Sequence, residues 1–79
     1  MNEATMFDSR EYKLDGAFLR LSLIEHNDGD FIVLLSFYGN GKQGIRLLTK
    51  SKIDEATRTF NQTQRVLRFI SNMLGGSDA

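Results

Sequence analysis

Residues 51–74 constrain this chain most, because their apolar side chains recur at the spacing of an α-helix. Positions three and four apart share one face of a helix, and the main apolar stripe consists of Ile53, Ala56, Phe60, Leu67, Ile70 and Leu74. Ser51 is the predicted N-cap, and Gly75 and Gly76 are predicted to end the helix. The pattern indicates one long helix against which the rest of the chain must pack, with Phe60 at the centre of the contact.

A second, shorter apolar stripe on the same segment consists of Val66, Phe69 and Met73. One face of a sheet cannot easily cover both stripes, so we expect the second half of the helix to meet another surface. The core is also small, since a chain of this length buries only about 60 to 65% of its unfolded surface. We therefore predict a homodimer with these three residues in its interface.

Four β-strands are predicted before the helix, at residues 10–14, 17–25, 31–38 and 44–50. Turn residues separate them at 15–16, 27–30 and 39–41. Residues 31–38 are apolar on both faces, which is typical of a strand in the middle of a sheet. The predicted fold is α+β, a four-stranded antiparallel meander followed by one long C-terminal helix (β-β-β-β-α). We expect a flexible N-terminus at 1–8, a single domain at 9–74 and a tail at 75–79.

The composition favours an intracellular setting. The chain has no cysteine, hence no disulfide framework. Residues 1–7 lack the pattern of a signal peptide, and the longest apolar run, 31–35, is far shorter than the roughly 20 residues of a membrane span. We expect a cytoplasmic protein that does not enter the membrane.

No motif predicts an enzyme. Residues 39–44 match G-x-G-x-x-G, but a strand follows them, whereas the dinucleotide-binding loop opens a helix. His26 is the only histidine, and a calcium loop starting at Asp28 would need a glutamate where Gly39 stands. No serine has a nucleophile–base–orienter arrangement. We expect no catalytic residue, no metal and no cofactor.

The charges are unevenly distributed along a chain of zero net charge. Residues 1–40 carry three basic and seven acidic side chains, and residues 41–79 carry seven basic and three acidic ones. Such asymmetry can give a neutral protein a positive surface. A solvated helix face beside an ordinary acidic first half explains it equally well.

Basic and aromatic residues coincide on the predicted sheet. The helix should leave one face open, with Phe18, Ile24 and Leu48 among Arg20, Arg46 and Lys50. Cations that neutralise phosphates and rings that stack on unpaired bases are what single-strand binding requires. The predicted nucleic-acid-binding residues are Lys13, Arg20, Lys42, Arg46 and Lys50 for phosphates, and Phe18 and Tyr38 for bases. The alternative is that the rings belong to the core and the charges are simply solvated.

Three segments carry a family resemblance: Asp28-Gly29-Asp30-Phe31-Ile32-Val33-Leu34, Gly41-Lys42-Gln43-Gly44-Ile45-Arg46-Leu47, and the helix that follows. They resemble the small single-stranded-DNA-binding domains of the positive cofactor four type and, more loosely, PUR repeats and Whirly proteins. The resemblance implies a helix-built homodimer whose strands bind single-stranded nucleic acid, with Lys42 and the nearby Arg46 at a phosphate contact. This chain departs from the family at the hairpin 27–30, which is usually basic, and at Ser36, where the family has a basic residue.

The sequence therefore predicts a single-stranded DNA- or RNA-binding homodimer, serving as a transcription or replication accessory protein. The alternative is a non-enzymatic protein–protein interaction module of the same fold. A continuous positive groove would favour the first function, and an apolar patch ringed by mixed charges the second.

Overall fold

A computed structural model describes residues 4–74 as four strands followed by one helix. The elements are β1 (Ala4–Leu14), β2 (Ala17–His26), β3 (Phe31–Gly39), β4 (Lys42–Ser51) and α1 (Ile53–Met73). The strands form one antiparallel sheet in the order β1-β2-β3-β4. The predicted β-β-β-β-α fold is thus confirmed, with the apolar β3 inside the sheet. The predicted tail and the glycines at its start lie outside the described residues.

The turns use the residues that the sequence indicates. In the β2–β3 turn, Asn27 and Gly29 have φ angles of 66° and 90°, in the left-handed region that Asn and Gly tolerate best. The N–H of His26 donates to the carbonyl of Asp30 at 2.7 Å and closes the turn. The tight connection brings two strands of nearly equal length into a long hairpin.

The core lies between one face of the sheet and α1. Its buried apolar residues, as far as the structure describes the chain, are Leu21, Leu23, Phe31, Val33, Ala56, Phe60 and Leu67. Phe60 is only 2% exposed, which confirms its predicted place in the core. The helix contacts all four strands, so it crosses the sheet diagonally.

Polar contacts fix both ends of α1 to the sheet. Near its start, Lys52 Nζ lies 3.0 Å from Asp30 Oδ1 in the β2–β3 turn, and the hydrogen bond from Lys52 lowers the pKa of Asp30. Near its end, the Ser71 hydroxyl donates to the carbonyl of Lys13 in β1 at 2.7 Å. The two contacts join the ends of α1 to opposite ends of the sheet.

The first strand is longer than the sequence indicates. Residues 4–8 of the predicted flexible start at 1–8 belong to β1, which begins at Ala4 and pairs there with the end of β2. A register shift between Met6 and Asp8 interrupts the alternation, and Phe7 contacts Phe31 edge to face with ring centroids 5.1 Å apart. Because a bulge breaks the period of two, periodicity alone does not reveal this segment as a strand.

The predicted N-cap is wrong. Ser51 is the last residue of β4 and pairs with Phe31, and Lys52 takes the N-cap position without a side-chain capping bond. Pairing with β3 therefore overrides the capping preference of serine. Asp54 and Glu55 in the first turn still place negative charge at the positive end of the helix dipole.

A second bulge corrects the predicted faces of β4. Leu34 pairs with Leu47 and Val33 pairs with Thr49, so Leu48 is the extra residue between them. Leu48 packs against the core under α1. The residues before the bulge therefore have the opposite orientation to the one predicted.

Arg46 and Leu48 consequently do not lie on the open face. Arg46 pairs with Leu35, which packs against the core cluster, so it belongs to the helix-covered face. Ile45 and Leu47 lie on the open face instead. Phe18, Arg20, Ile24 and Lys50 keep their predicted positions there.

Candidate binding surface

The sheet face that α1 leaves uncovered is the candidate binding surface, and we call it the open face. Directly paired residues share a face, and four cross-strand rows build this one: Met6–Ile24–Ile32–Lys50, Ser9–Ser22–Leu34–Leu47, Glu11–Arg20–Ser36–Ile45 and Lys13–Phe18–Tyr38–Gln43. The intervening residues of β2 and β3 point into the core, as alternation requires.

An apolar patch occupies the part of the open face nearest β4. It consists of Ile24, Ile32, Leu34, Ile45 and Leu47. Ile45 is 71% exposed and Leu47 is 54% exposed, while the other three are half-buried. Single exposed aliphatic side chains are ordinary, but a contiguous group of this kind typically marks an interaction site.

Arg20 is not a free cation. Its Nη2 and Nε atoms donate to Glu11 Oε2 at 2.6 Å and 3.0 Å across the β1–β2 pair. These hydrogen bonds raise the pKa of Arg20, which stays charged, while the carboxylate offsets its positive charge. Arg20 and Glu11 therefore form a locally neutral pair on the open face.

Lys13 and Lys50, the other cations of the four rows, lie at opposite corners of the open face. At about 3.3 Å per residue along a strand, the rows that contain them are about 20 Å apart. The apolar patch and the Arg20–Glu11 pair lie between them. The open face is thus an apolar patch with mixed charges around it.

An aromatic pair stands at the end of the open face next to the β1–β2 turn. The rings of Phe18 and Tyr38 stack with centroids 5.0 Å apart and an interplanar angle of 21°. With Lys13 and Gly39 they line a cavity of about 710 Å³. Each ring already uses one of its faces on the other, and the cavity lies beside the pair.

The predicted nucleic-acid-binding residues fall into separate groups. Lys13, Phe18 and Tyr38 lie together at the aromatic end. Lys42 is the first residue of β4 and pairs with Gly39 beside the β3–β4 turn. With Arg46 on the opposite face and Lys50 at the far corner, the five predicted cations do not form one continuous stripe.

Sequence reasoning missed Ile45 and Leu47 as surface residues. Their alternation with Arg46 was visible, but which of the two sets faces outward depends on the bulge at Leu48. A bulge has no dependable signal in a single sequence, because it is fixed by pairing with the neighbouring strand. The most exposed part of the patch could therefore not be identified without the register.

The second apolar surface is the helix stripe, composed of Val66, Phe69 and Met73. All three are exposed, and Phe69 is 64% exposed. The same residues are predicted from the sequence to form a dimer interface. They lie on the side of α1 that does not pack against its own sheet.

Within residues 4–74, no three His, Asp or Glu side chains are grouped so that they could hold a metal ion. No helix in that range combines the length and apolar character that a membrane-spanning segment needs. Comparisons with protein-family models, with curated proteins and with solved structures find no match to this chain.

Proposed function

We propose that this protein is a non-enzymatic protein–protein interaction module that binds its partner through the open face. The observation that carries the proposal is the apolar patch, in which the exposed Ile45 and Leu47 extend the half-buried Ile24, Ile32 and Leu34. Covering a large aliphatic side chain is worth about 1.5 to 3 kcal/mol relative to leaving it in water. A partner that covers this patch therefore gains affinity by burying side chains that are exposed to solvent in the monomer.

The charges around the patch favour a protein over a polyanion. Glu11 offsets the charge of Arg20, and the two lysines of the open face lie at opposite corners, in rows about 20 Å apart. Affinity for nucleic acid comes mainly from cations that contact successive phosphates. Mixed charge around an apolar centre is instead the usual anatomy of a protein interface.

Site-specific photo-crosslinking tests this function. A photoreactive amino acid replaces Ile24, which lies on the open face but two strands away from β4, and the protein is irradiated in extract of the cells that produce it. A discrete protein adduct is expected. The matched control carries the same photoreactive group at Asn61, an exposed residue of α1, and should not give that adduct. Adducts formed only with nucleic acid at residue 24 would rule the proposal out.

Single-stranded nucleic-acid binding is the second candidate function, and the aromatic end is the observation that favours it. Phe18 and Tyr38 offer ring surface beside Lys13 and a cavity large enough for a base. Stacking on aromatic rings together with nearby cations is the usual chemistry of single-strand binding. This site would be short, since it includes one lysine rather than a basic groove.

We also propose that the protein forms a homodimer through the helix stripe. Val66, Phe69 and Met73 follow the i, i+3, i+7 spacing of a helix contact surface. In a two-fold dimer the same stripe is used by both subunits, so a self-complementary apolar stripe suffices. The open face stays available to a partner, because it lies on the other side of the sheet.

A further inference from the structure

We infer that the β4 edge accepts an extended acidic peptide segment of the partner, which adds to the sheet as a fifth strand. This inference rests on the proposed function and specifies the kind of partner. An edge strand presents backbone N–H and C=O groups that no neighbouring strand satisfies. Extended segments of other proteins bind such edges by continuing the hydrogen-bond ladder.

Both edge strands of the sheet are largely exposed, and we assign the added strand to β4. Every residue from Lys42 to Leu47 is exposed. Helix α1 contacts both edge strands, but in β1 the backbone carbonyl of Lys13 already accepts a hydrogen bond from the Ser71 hydroxyl at 2.7 Å. A new strand at β4 meets no such bond to the backbone between Lys42 and Leu47.

The bulge at Leu48 sets the length of the segment. Regular pairing between β3 and β4 runs from Lys42 to Leu47 and then shifts register. A bulge bends the strand and disrupts the ladder locally, so regular pairing along the outer edge stops there. The β4 edge thus offers six residues, enough for a short extended segment.

The charge of β4 determines the charge of the segment. From residue 41 to residue 53 the chain contains four basic side chains and no acidic one. Lys52 is engaged by Asp30, which leaves Lys42, Arg46 and Lys50. Two copies of β4 paired with each other would bring these cations together, so an acidic segment of another protein fits better than a second copy.

A hollow beside Gly44 adds a side-chain preference. A Cβ on Gly44 would meet nothing within 4 Å. The hollow next to it has a volume of about 280 Å³ and is lined by Leu35, Phe37 and Arg46. By alternation, Lys42, Gly44 and Arg46 share one side of β4. The segment should therefore carry two acidic residues that flank one large apolar residue on that side.

On the other side of β4, the segment should be aliphatic. Ile45 and Leu47 point to the open face there and continue the apolar patch. A segment of the pattern Glu-Val-Phe-Val-Glu-Val meets both requirements, because its odd positions face Lys42, Gly44 and Arg46 while its valines extend the patch. The preference is for alternating acidic and apolar residues with one aromatic side chain between the acids.

The test measures fluorescence anisotropy of this labelled peptide with the full-length protein. Replacing both glutamates of the peptide by lysine should weaken binding by about tenfold or more, as charge-assisted contacts are lost. N-methylation of alternate backbone amides should also weaken it by about tenfold or more, because it removes ladder hydrogen bonds without changing the protein. Rising salt should weaken binding of the acidic peptide.

Variants of the protein locate the site. Arg46→Glu should lower affinity for the acidic peptide and raise it for the lysine peptide, whereas Arg58→Glu on exposed α1 should change neither. Gly44→Val, which fills the hollow, should weaken binding of the phenylalanine peptide more than that of its alanine analogue. Circular dichroism of each variant shows whether it is folded. The N-methylated peptide tests the hydrogen-bond ladder with the wild-type protein, so that result does not depend on the folding of any variant.

Equal binding of the acidic and lysine peptides would overturn the inference, and so would tight binding that N-methylation does not affect. Binding of a thirty-nucleotide single strand that Arg46→Glu abolishes would also overturn it. The proposed function has its own outcome. A protein adduct at residue 24 without peptide binding would support the open-face interaction and contradict strand addition at the β4 edge. Peptide binding without that adduct would support strand addition at the β4 edge and contradict the open-face interface.

Discussion

Gly39 lies directly opposite Ala17 in the β2–β3 ladder, beside the aromatic end of the open face. A Cβ at Gly39 would come within 2.3 Å of the Ala17 Cβ and 2.9 Å of its Cα. Neither atom can move without the backbone of β2. The absence of a side chain at this position therefore fixes how closely the two strands approach next to the Phe18–Tyr38 pair.

We expect Gly39→Ala to destabilise the protein by about 1 to 3 kcal/mol, the usual cost of forcing extra atoms into a packed site. Gly44→Ala is the matched control, since its new methyl group enters open space and should leave stability unchanged or raise it by up to about 1 kcal/mol. Urea unfolding followed by circular dichroism measures both. Equal unfolding midpoints for the two variants would contradict this prediction and show that the β2 backbone shifts at Ala17 to accommodate the methyl group.

Helix α1 carries two phenylalanines with opposite surroundings, since Phe60 is buried against the sheet and Phe69 is exposed on the helix stripe. The buried ring joins Leu21 and Leu23 in the core. The exposed ring lies on the side of α1 that faces away from the sheet. One side of α1 therefore packs in the core and the other is exposed, so substitutions on the two sides should have different consequences.

Phe60→Ala should lower the free energy of unfolding by about 3 to 5 kcal/mol, because burial is lost and a cavity remains. The change should not depend on protein concentration. Phe69→Ala is the control: it acts through association, so its effect on the midpoint should grow with concentration. A loss of less than about 1 kcal/mol for Phe60→Ala would contradict the assignment of this ring as the anchor of the core.

Phe69→Asp should dissociate the homodimer, because it places an unpaired charge in a contact that excludes water. Light scattering at micromolar concentration should give twice the chain mass of 9.0 kDa for the wild type and the single mass for the variant. Asn61→Asp introduces the same charge at an exposed position of α1 outside the helix stripe and should remain dimeric. A wild-type monomer at these concentrations would refute the dimer.

The elements could be predicted from the sequence because each has a local cause: alternation for β2, turn residues at 27–30, and helical spacing in α1. Their ends and faces could not. The two bulges, at Phe7 and Leu48, depend on pairing with another strand. Alternation therefore placed Phe18 correctly on the open face, because β2 has no bulge. In β4 it placed Lys50 correctly but not Arg46, because the bulge at Leu48 lies between these two residues.

As a whole, the molecule is a thin two-layer slab with principal extents of 40 × 25 × 16 Å. A single helix covers one face of the sheet, and the described residues place only seven apolar side chains in the buried core. Two groups of exposed apolar residues lie on opposite sides of the slab, one on the open face and one on the helix stripe. A small core with two such surfaces is a reason to expect that binding partners add to the stability of the fold.

The last prediction separates the two candidate functions by comparing charge and stacking variants. If single strands bind at the aromatic end, Phe18→Ala should cost about 1 to 3 kcal/mol of affinity and leave the salt dependence almost unchanged. Lys13→Ala should reduce the slope of log affinity against log salt by about one phosphate contact. Arg46→Ala is the control, because Arg46 lies on the opposite face and should alter neither quantity.

Labelled thirty-nucleotide strands at low salt provide the measurement. A uniform loss for Lys13→Ala and Arg46→Ala, with no effect of Phe18→Ala, would indicate general attraction to scattered cations rather than a site. Absence of binding by the wild type would remove nucleic acid as a partner of the aromatic end. The proposed interaction of the apolar patch would not be affected by that result, since covering Ile45 and Leu47 requires no contact with phosphates.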